Sequence, residues 1–187
     1  MIVLTLGGMN YGRTDEVGTA LHQHAKRRGV SRKIVDYPQA ATAQSIPLGV
    51  VALDTALRNT PEDCEIVAHS QGCEVVGEWM RRYAGRPDAP THIRRIILLG
   101  NPERRFGGAM GYQFGNKKRQ PTPETQYRVD DIARKGDPWA NADGVSLWAR
   151  LTRSLWAPAH RDYDDIDADN PGVLRRKSGN TSYWVSQ

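Results

Sequence analysis

Several classes of protein are excluded by what this sequence lacks. It has only two cysteines in 187 residues, Cys64 and Cys73, and neither has the companion ligands of a zinc site. The simplest interpretation is two buried thiols in a reducing compartment, although their spacing leaves a disulfide open. No apolar run approaches the length of a membrane span, and the mean hydropathy of −0.62 is typical of a soluble protein. We expect neither a metal nor a cofactor.

The sequence also lacks the signatures of nucleic-acid-binding folds and of secretion. It contains no helix-turn-helix, zinc-finger or RNA-binding motif, although its formal net charge is +5. Basic clusters at 26–28, 117–119 and 175–177 suit nucleic acid, an anionic membrane or an acidic cell envelope, or are simply solvated faces. Without a recognition motif, we do not expect nucleic acid as a partner. No signal peptide precedes the first predicted strand, so we expect the protein to be made in the cytoplasm.

Apolar strands that alternate with amphipathic helices predict the fold class. The predicted strands span 2–6, 33–36, 64–68, 94–99 and 127–133, and the helices include 16–28 and 45–58. This alternation predicts an α/β protein whose central, mostly parallel sheet of about five strands has helices on both faces. We expect one domain over residues 1–163 and a C-terminal tail, 164–187, that docks on the domain or on a partner. The irregular segment 103–126 is either a lid or binding loop, or a solvated excursion.

A serine between a short strand and an amphipathic helix is a candidate catalytic nucleophile. The apolar run Ile66–Ala68 leads into Ser70, and a helix with one apolar face follows at once. With Ala68 and Gly72 as small neighbours, this is the layout of a nucleophile elbow, in which a sharp turn exposes the serine hydroxyl at the N-terminus of a helix. The alternative is a Ser-Gly turn that merely starts a helix.

A nucleophilic serine needs a histidine base and an orienting carboxylate. In α/β-hydrolases these groups follow in the order serine, acid, histidine, and His160 is the one histidine downstream of a plausible acid. An exposed loop histidine is the alternative interpretation of His160. Asp137, just past the predicted strand 127–133, is the best candidate for the acid, and Asp143 is the second choice.

The oxyanion formed in acyl transfer needs two backbone donors. We predict one at the N–H of Gln71, directly after the serine, and the other at Gly8 or Met9 in the loop after the first strand. The side chain of Asn10 could assist. A simple Gly-Gly turn is the alternative interpretation of that loop.

Together these segments resemble the cutinase-like serine hydrolases. The matching runs are Ala-His-Ser-Gln-Gly-Cys at 68–73, Leu-Leu-Gly-Asn-Pro at 98–102, Gly-Asp-Pro-Trp-Ala at 136–140 and His-Arg-Asp-Tyr at 160–163. The group includes the PE-PPE serine-hydrolase domains and the lysin B esterases of mycobacteriophages. The resemblance covers residues 1–163 and implies a cutinase-like α/β-hydrolase fold, with Ser70 as nucleophile, His160 as general base and Asp137 as the acid.

Two departures from the cutinase pattern stand out. Secreted cutinases place a disulfide cysteine shortly after the acid, where this chain has Ala140. The interval from Asp137 to His160 is also longer than in compact cutinases, which suggests an inserted helix over 144–155 that shapes the acyl site.

The resemblance implies a serine carboxylic-ester hydrolase that acts on lipid esters through an acyl-enzyme. Mycolyl esters of the mycobacterial envelope are the sharpest form of this expectation. Such an enzyme would reach an envelope ester after release from the cell or on a virion, where other phage-particle subunits would be its partners. Two alternatives stay open: an acyltransferase that uses the same triad, and a non-catalytic or assembly role as a phage structural subunit with a hydrolase fold.

Overall fold

The chain folds as alternating strands and helices followed by a C-terminal hairpin. The computed structural model describes residues 1–9, 18–109, 113–114, 117–118, 120–144 and 158–187. The first elements are β1 (Ile2–Leu6), α1 (Gly18–Arg28), β2 (Ser31–Ile34), α2 (Ser45–Arg58), β3 (Cys64–His69), α3 (Gln71–Tyr83) and β4 (Ile93–Leu99). They are followed by β5 (Gln113–Phe114), β6 (Lys117–Lys118), β7 (Val129–Arg134), the 3₁₀ turn Ala142–Gly144, α4 (Pro158–Arg161), β8 (Val173–Ser178) and β9 (Thr181–Ser186).

The central sheet has seven strands in the order β2-β1-β3-β4-β7-β9-β8. All neighbouring pairs are parallel except β9 and β8, which form an antiparallel hairpin at the sheet edge. The predicted α/β class with a mostly parallel sheet is confirmed, with seven strands instead of about five. The two additional strands lie within residues 164–187, the segment that we expected to dock as a tail.

The strands at the middle of the sheet are apolar because helices cover both faces. Every residue of β3 is buried, and its neighbour β4 has one exposed position. On one face Ile66 and Ile96 pack with α2 and α3, while on the other Val67 and Ile97 pack with α1 and the segment after α4. No helix in the described ranges combines the length and hydropathy of a membrane span.

Both cysteines are buried and free. Cys64 begins β3 and Cys73 lies in the first turn of α3. Burial, together with the charge of Asp63, raises the pKa of the Cys64 thiol to about 12, so this thiol stays protonated at neutral pH.

The segment 103–126 is packed against the sheet over part of its length. Glu103 and Arg104 are buried, and Arg104 Nη1 donates to Asp131 Oδ1 on β7 at 2.7 Å. Residues 113–114 and 117–118 form the small antiparallel pair β5–β6. The proposed inserted helix lies outside the described residues from position 145 onward.

Candidate active site

Ser70 stands at a strained turn between β3 and α3. Its φ of 51° and ψ of −118° make it the one residue other than glycine with a positive φ in the described ranges. Such a conformation costs about 1–3 kcal/mol and persists when its surroundings fix it. Ser70 N–H donates to the carbonyl of Leu99 on the next strand at 3.0 Å, and Cys73 N–H donates to the Ser70 carbonyl at 2.9 Å.

Gly72 allows this turn to pack against β1. A Cβ at position 72 would lie 2.5 Å from the carbonyl oxygen of Leu6 and 2.9 Å from that of Gly7. These distances are shorter than any real Cβ contact, so only glycine fits without moving the strand or the helix. The small residue of the Ser-Gln-Gly motif is thus required by the approach of α3 to the end of β1.

The short helix α4 brings His160 to the serine. Ser70 Oγ lies 2.8 Å from His160 Nε2, and the exposed fractions of the two residues are 8% and 2%. On the other side of the ring, His160 Nδ1 lies 3.0 Å from both carboxylate oxygens of Asp137. An ionised carboxylate accepts hydrogen bonds, so Nδ1 carries the proton and Nε2 presents its lone pair to the serine hydroxyl.

Asp137 is held in the loop directly after β7. Its Oδ1 accepts hydrogen bonds from the backbone N–H groups of Trp139 at 2.8 Å and Ala140 at 3.2 Å. Burial alone would raise the pKa of this carboxyl group. The neighbouring His160 and the hydrogen bonds from His160, Tyr163 and Trp139 outweigh that effect, so the pKa of Asp137 lies below its ordinary value.

Tyr163 is a member of this site that the sequence analysis did not assign. Its hydroxyl donates to Asp137 Oδ2 at 2.7 Å and accepts from the backbone N–H of Arg134 at 2.9 Å. The ring is fully buried against Gly100, where a Cβ would lie 3.1 Å from a ring carbon. The signal in the sequence is its position three residues after His160, in the matched run 160–163.

His69 is a second residue of the site that the sequence analysis did not assign. The structure directs its ring to His160, with the two ring centroids 5.5 Å apart. His69 Nε2 lies 2.8 Å from the backbone carbonyl of His160, and a carbonyl only accepts, so Nε2–H is the donor. Burial, and to a lesser extent the neighbouring His160, lower the pKa of His69 to about 4, so the His69 ring is neutral at physiological pH.

The segments predicted to supply oxyanion donors lie beside Ser70. Gln71 begins α3, and a Cβ placed on Gly8 would lie 2.9 Å from Ser70 Cβ. The Gln71 side chain is directed elsewhere, since its Nε2 donates to the carbonyl of Ala40 at 2.9 Å. The donor roles of Gln71, Gly8 and Met9 stay predictions, and Asn10 lies outside the described residues.

Comparison with a family model identifies the family. The model described as Serine hydrolase matches residues 21–159, which is more than half of the chain. The chain belongs to the serine hydrolase family. Among curated proteins, none matches its sequence.

Solved structures share the fold of this serine hydrolase at low sequence identity. Lysin B from Mycobacteriophage D29 has a TM-score of 0.53 and 21% identity, over 81% of this chain and 71% of that chain. A cutinase-like protein from Cryptococcus sp. has a TM-score of 0.62 and 15% identity, over 88% and 86%. The lin2722 product of Listeria innocua has a TM-score of 0.57 and 13% identity, over 100% and 98%. These identities show the fold alone, and the expected cutinase-like α/β-hydrolase fold is confirmed.

In this serine hydrolase the structure brings Ser70, His160 and Asp137 into one hydrogen-bonded series. Asp143, the second choice for the acid, lies in the 3₁₀ turn Ala142–Gly144. It is exposed, and its carboxylate lies near Gly107. Within the described ranges, no three His, Cys, Asp or Glu side chains are grouped as metal ligands.

Proposed function

We propose that this serine hydrolase is a carboxylic-ester hydrolase that acts on lipid esters. The observation that carries the proposal is the 2.8 Å contact between Ser70 Oγ and His160 Nε2, with Asp137 bound to the other nitrogen of the same ring. A serine hydroxyl is a weak nucleophile by itself, and an oriented imidazole is the group that activates it.

The proposed reaction begins with proton transfer from Ser70 Oγ to His160 Nε2 as the oxygen attacks the ester carbonyl. Asp137 keeps Nδ1 protonated and stabilises the imidazolium that forms. The N–H groups of Gln71 and of Gly8 or Met9 hold the negative oxygen of the tetrahedral intermediate. His160 then gives its proton to the departing alcohol, which leaves an acyl-enzyme on Ser70.

The second half of the reaction repeats the same transfers with water. His160 removes a proton from a water molecule, whose oxygen attacks the acyl-enzyme carbonyl. Collapse of the second tetrahedral intermediate returns the proton to Ser70 and releases the acid. The lowered pKa of Asp137 supports this sequence, because the carboxylate stays ionised at neutral pH and keeps the imidazole in the required tautomer.

The proposed substrate class rests on similarity to other proteins in sequence motifs and fold. The four matched sequence runs and the fold shared with a cutinase-like protein and a lysin B support a lipid ester, and mycolyl esters of the mycobacterial envelope are the sharpest candidate. In this proposal the protein is made in the cytoplasm and acts at an envelope after release or on a virion.

Hydrolysis of p-nitrophenyl esters from butyrate to palmitate tests the activity. We expect wild-type protein to hydrolyse at least one ester and Ser70→Ala to lose the activity. The chain-length profile then separates a short acyl site from a lipid-sized one. Release of p-nitrophenol without free acid, once a sugar alcohol is added, would identify acyl transfer instead. Folded wild-type protein that is inactive on every ester would favour an assembly role.

A further inference from the structure

A groove of about 400 Å³ lies where the C-terminal hairpin meets the loop after β7. Tyr183 and Val185 of β9 line it together with Phe106, and Val173 of β8 contributes at the sheet edge. Ser70, His160 and Asp137 are not among its lining residues. The groove is therefore separate from the proposed reaction centre, although Asn141 and Asp143 at its rim continue the loop that carries Asp137.

An irregularity in β8 directs two successive arginines into this groove. Val173 pairs with Val185 and Arg176 pairs with Tyr183, and the register shifts between Leu174 and Arg176. In a regular strand, adjacent side chains point to opposite faces of the sheet. Here the extra residue, Arg175, occupies a bulge, so Arg175 and Arg176 both line the groove. Bulges commonly re-aim side chains in this way.

Three of the four cations that line the groove have no carboxylate partner in the described part of the chain. Arg175, Arg176 and Lys135 form none of the ion pairs found there, whereas the deeper Arg104 is matched by Asp131 at 2.7 Å. The Arg176 guanidinium lies over the Phe106 ring at 4.3 Å, which holds its fork in place and leaves its N–H edges available. Among the described residues that line the groove, Asp143 is the one with an acidic side chain.

Exposed apolar residues stand next to these cations. Val173, on the groove face of the edge strand, is 48% exposed, and Leu174, on the opposite face, is 39% exposed; both directly precede Arg175. A soluble phosphate needs only the cations, but a lipid headgroup sits beside acyl chains, where exposed apolar side chains can insert. The combination therefore favours a lipid surface as the source of the anion.

We propose that this groove binds the phosphate group of an anionic phospholipid and so docks the β8 edge on an anionic membrane surface. Arg175 and Arg176 bind the phosphate oxygens with their guanidinium forks, Lys135 adds a point charge, and Val173 contacts the acyl boundary. This binding does not depend on the proposed ester hydrolysis.

Sedimentation with vesicles tests the proposal, with a matched pair of variants. Arg176→Glu and Lys177→Glu change the net charge equally at adjacent positions, but Lys177 pairs with Ser182 and does not line the groove. We expect wild-type protein to bind phosphatidylglycerol-containing vesicles and not pure phosphatidylcholine. Arg176→Glu should weaken binding by about tenfold or more, and Lys177→Glu by at most about threefold. Thermal unfolding of both variants checks that the fold is retained.

Two results would overturn the proposal. Equal losses in the two variants would mean that binding follows net charge and not the groove, and no binding of wild-type protein to anionic vesicles would dispose of it altogether. A soluble arm separates the sources of phosphate. If glycerol phosphate without vesicles binds the wild-type protein as tightly as the anionic vesicles do, and Arg176→Glu removes this binding, the groove takes a soluble phosphate compound and the lipid assignment is wrong. If tight binding requires lipid vesicles, the assignment stands.

Discussion

Single side chains link the serine hydroxyl to the backbone of the central sheet. The series runs from Ser70 to His160, from His160 to Asp137, from Asp137 to Tyr163, and from the Tyr163 hydroxyl to the N–H of Arg134. Each group in the series is buried or nearly so, which strengthens its hydrogen bonds and restricts its movement. The His160 ring is thereby oriented by Asp137 and Tyr163, and the series ends at the backbone of β7.

Replacing the two candidate acids separately tests the role of Asp137. Asp137→Asn keeps the shape of the side chain but removes the charge that fixes the tautomer of His160. We expect kcat to fall by about 10⁴-fold, the loss known for the same change in a serine protease triad. Asp143→Asn, in an exposed turn, should retain nearly full activity in the same ester assay. Small and equal losses would contradict the assignment.

His69 offers a second prediction at this scale, as a positioning residue that acts through His160. His69→Phe removes the donor to the His160 carbonyl, whereas His69→Gln keeps an amide N–H in a similar place. We expect the Phe variant to lose about tenfold or more in kcat with little change in KM, because a small displacement of the base reduces reactivity. The Gln variant should recover most of the rate. If the two variants lose kcat alike while both stay folded, the hydrogen bond has no positioning role.

The residues of the site differ in how far apart along the sequence their contact partners lie. The elbow around Ser70 is local, and the order of serine, acid and histidine selects Asp137 and His160 from few candidates. The contact of His69 with the His160 carbonyl joins residues 91 positions apart, and that of Tyr163 with Asp137 joins residues 26 apart. The matched run 160–163 draws attention to Tyr163, but no periodicity or motif specifies its partner or that of His69, because these contacts depend on where the sheet brings two loops together.

Among the elements, the strands covered on both faces were predictable and the edge hairpin was not. β3 and β4 are continuous apolar runs, which a buried strand requires. β8 reads Val-Leu-Arg-Arg-Lys-Ser and is exposed over nearly its whole length, so it lacks both the apolar run and the alternation that indicate a strand. Its pairing with β9 makes it a strand, and its charges are those that an edge strand tolerates.

The approach of α3 to β1 leads to a prediction about two glycines. Gly72→Ala places a Cβ 2.5 Å from the Leu6 carbonyl, whereas a Cβ on Gly85 meets no atom within 4 Å. Relief of the first contact must move the helix or the strand, so we expect Gly72→Ala to lower the free energy of unfolding by about 1–3 kcal/mol and to reduce activity strongly. Gly85→Ala should leave both nearly unchanged. Urea unfolding and the ester assay measure the two effects, and similar values for the pair would show that the contact is relieved without strain.

Across the whole molecule, the buried ion pair of Arg95 and Asp130 connects residues 164–187 to the middle of the sheet. Arg95 of β4 binds Asp130 of β7 at 2.7 Å and Asp169 at 2.6 Å, and Trp184 of β9 donates to Asp130 at 2.8 Å. Residues 164–187 therefore contribute hydrogen bonds to the interior as well as two strands to the sheet. The sequence predicts that this segment docks on the domain or on a partner, but a composition that turns from acidic to basic does not indicate that it adds strands to the sheet.

The stability of the whole molecule should depend on pH through His69. Its pKa is lowered from 6.5 to about 4 in the native state, so between these values the unfolded chain binds a proton that the native protein does not. The contribution of His69 to the free energy of unfolding is therefore fully present above pH 6.5 and is lost as the pH falls toward 4. The loss from this residue is about 3 kcal/mol. We expect the free energy of unfolding, measured with urea, to fall more over this pH range for wild-type protein than for His69→Gln. Parallel pH profiles would contradict this source of acid sensitivity.

Labelling with an active-site-directed fluorophosphonate tests the central claim most directly, because it reports the reactivity of Ser70 without requiring the natural substrate. Peptide mapping by mass spectrometry locates the label, and Ser70→Ala and His160→Gln are the controls. We predict one label per molecule of wild-type protein on the peptide that contains Ser70, none on Ser70→Ala, and a greatly slowed reaction of His160→Gln. Folded wild-type protein that takes no label, or takes it elsewhere, would contradict the assignment of Ser70 as a nucleophile activated by His160.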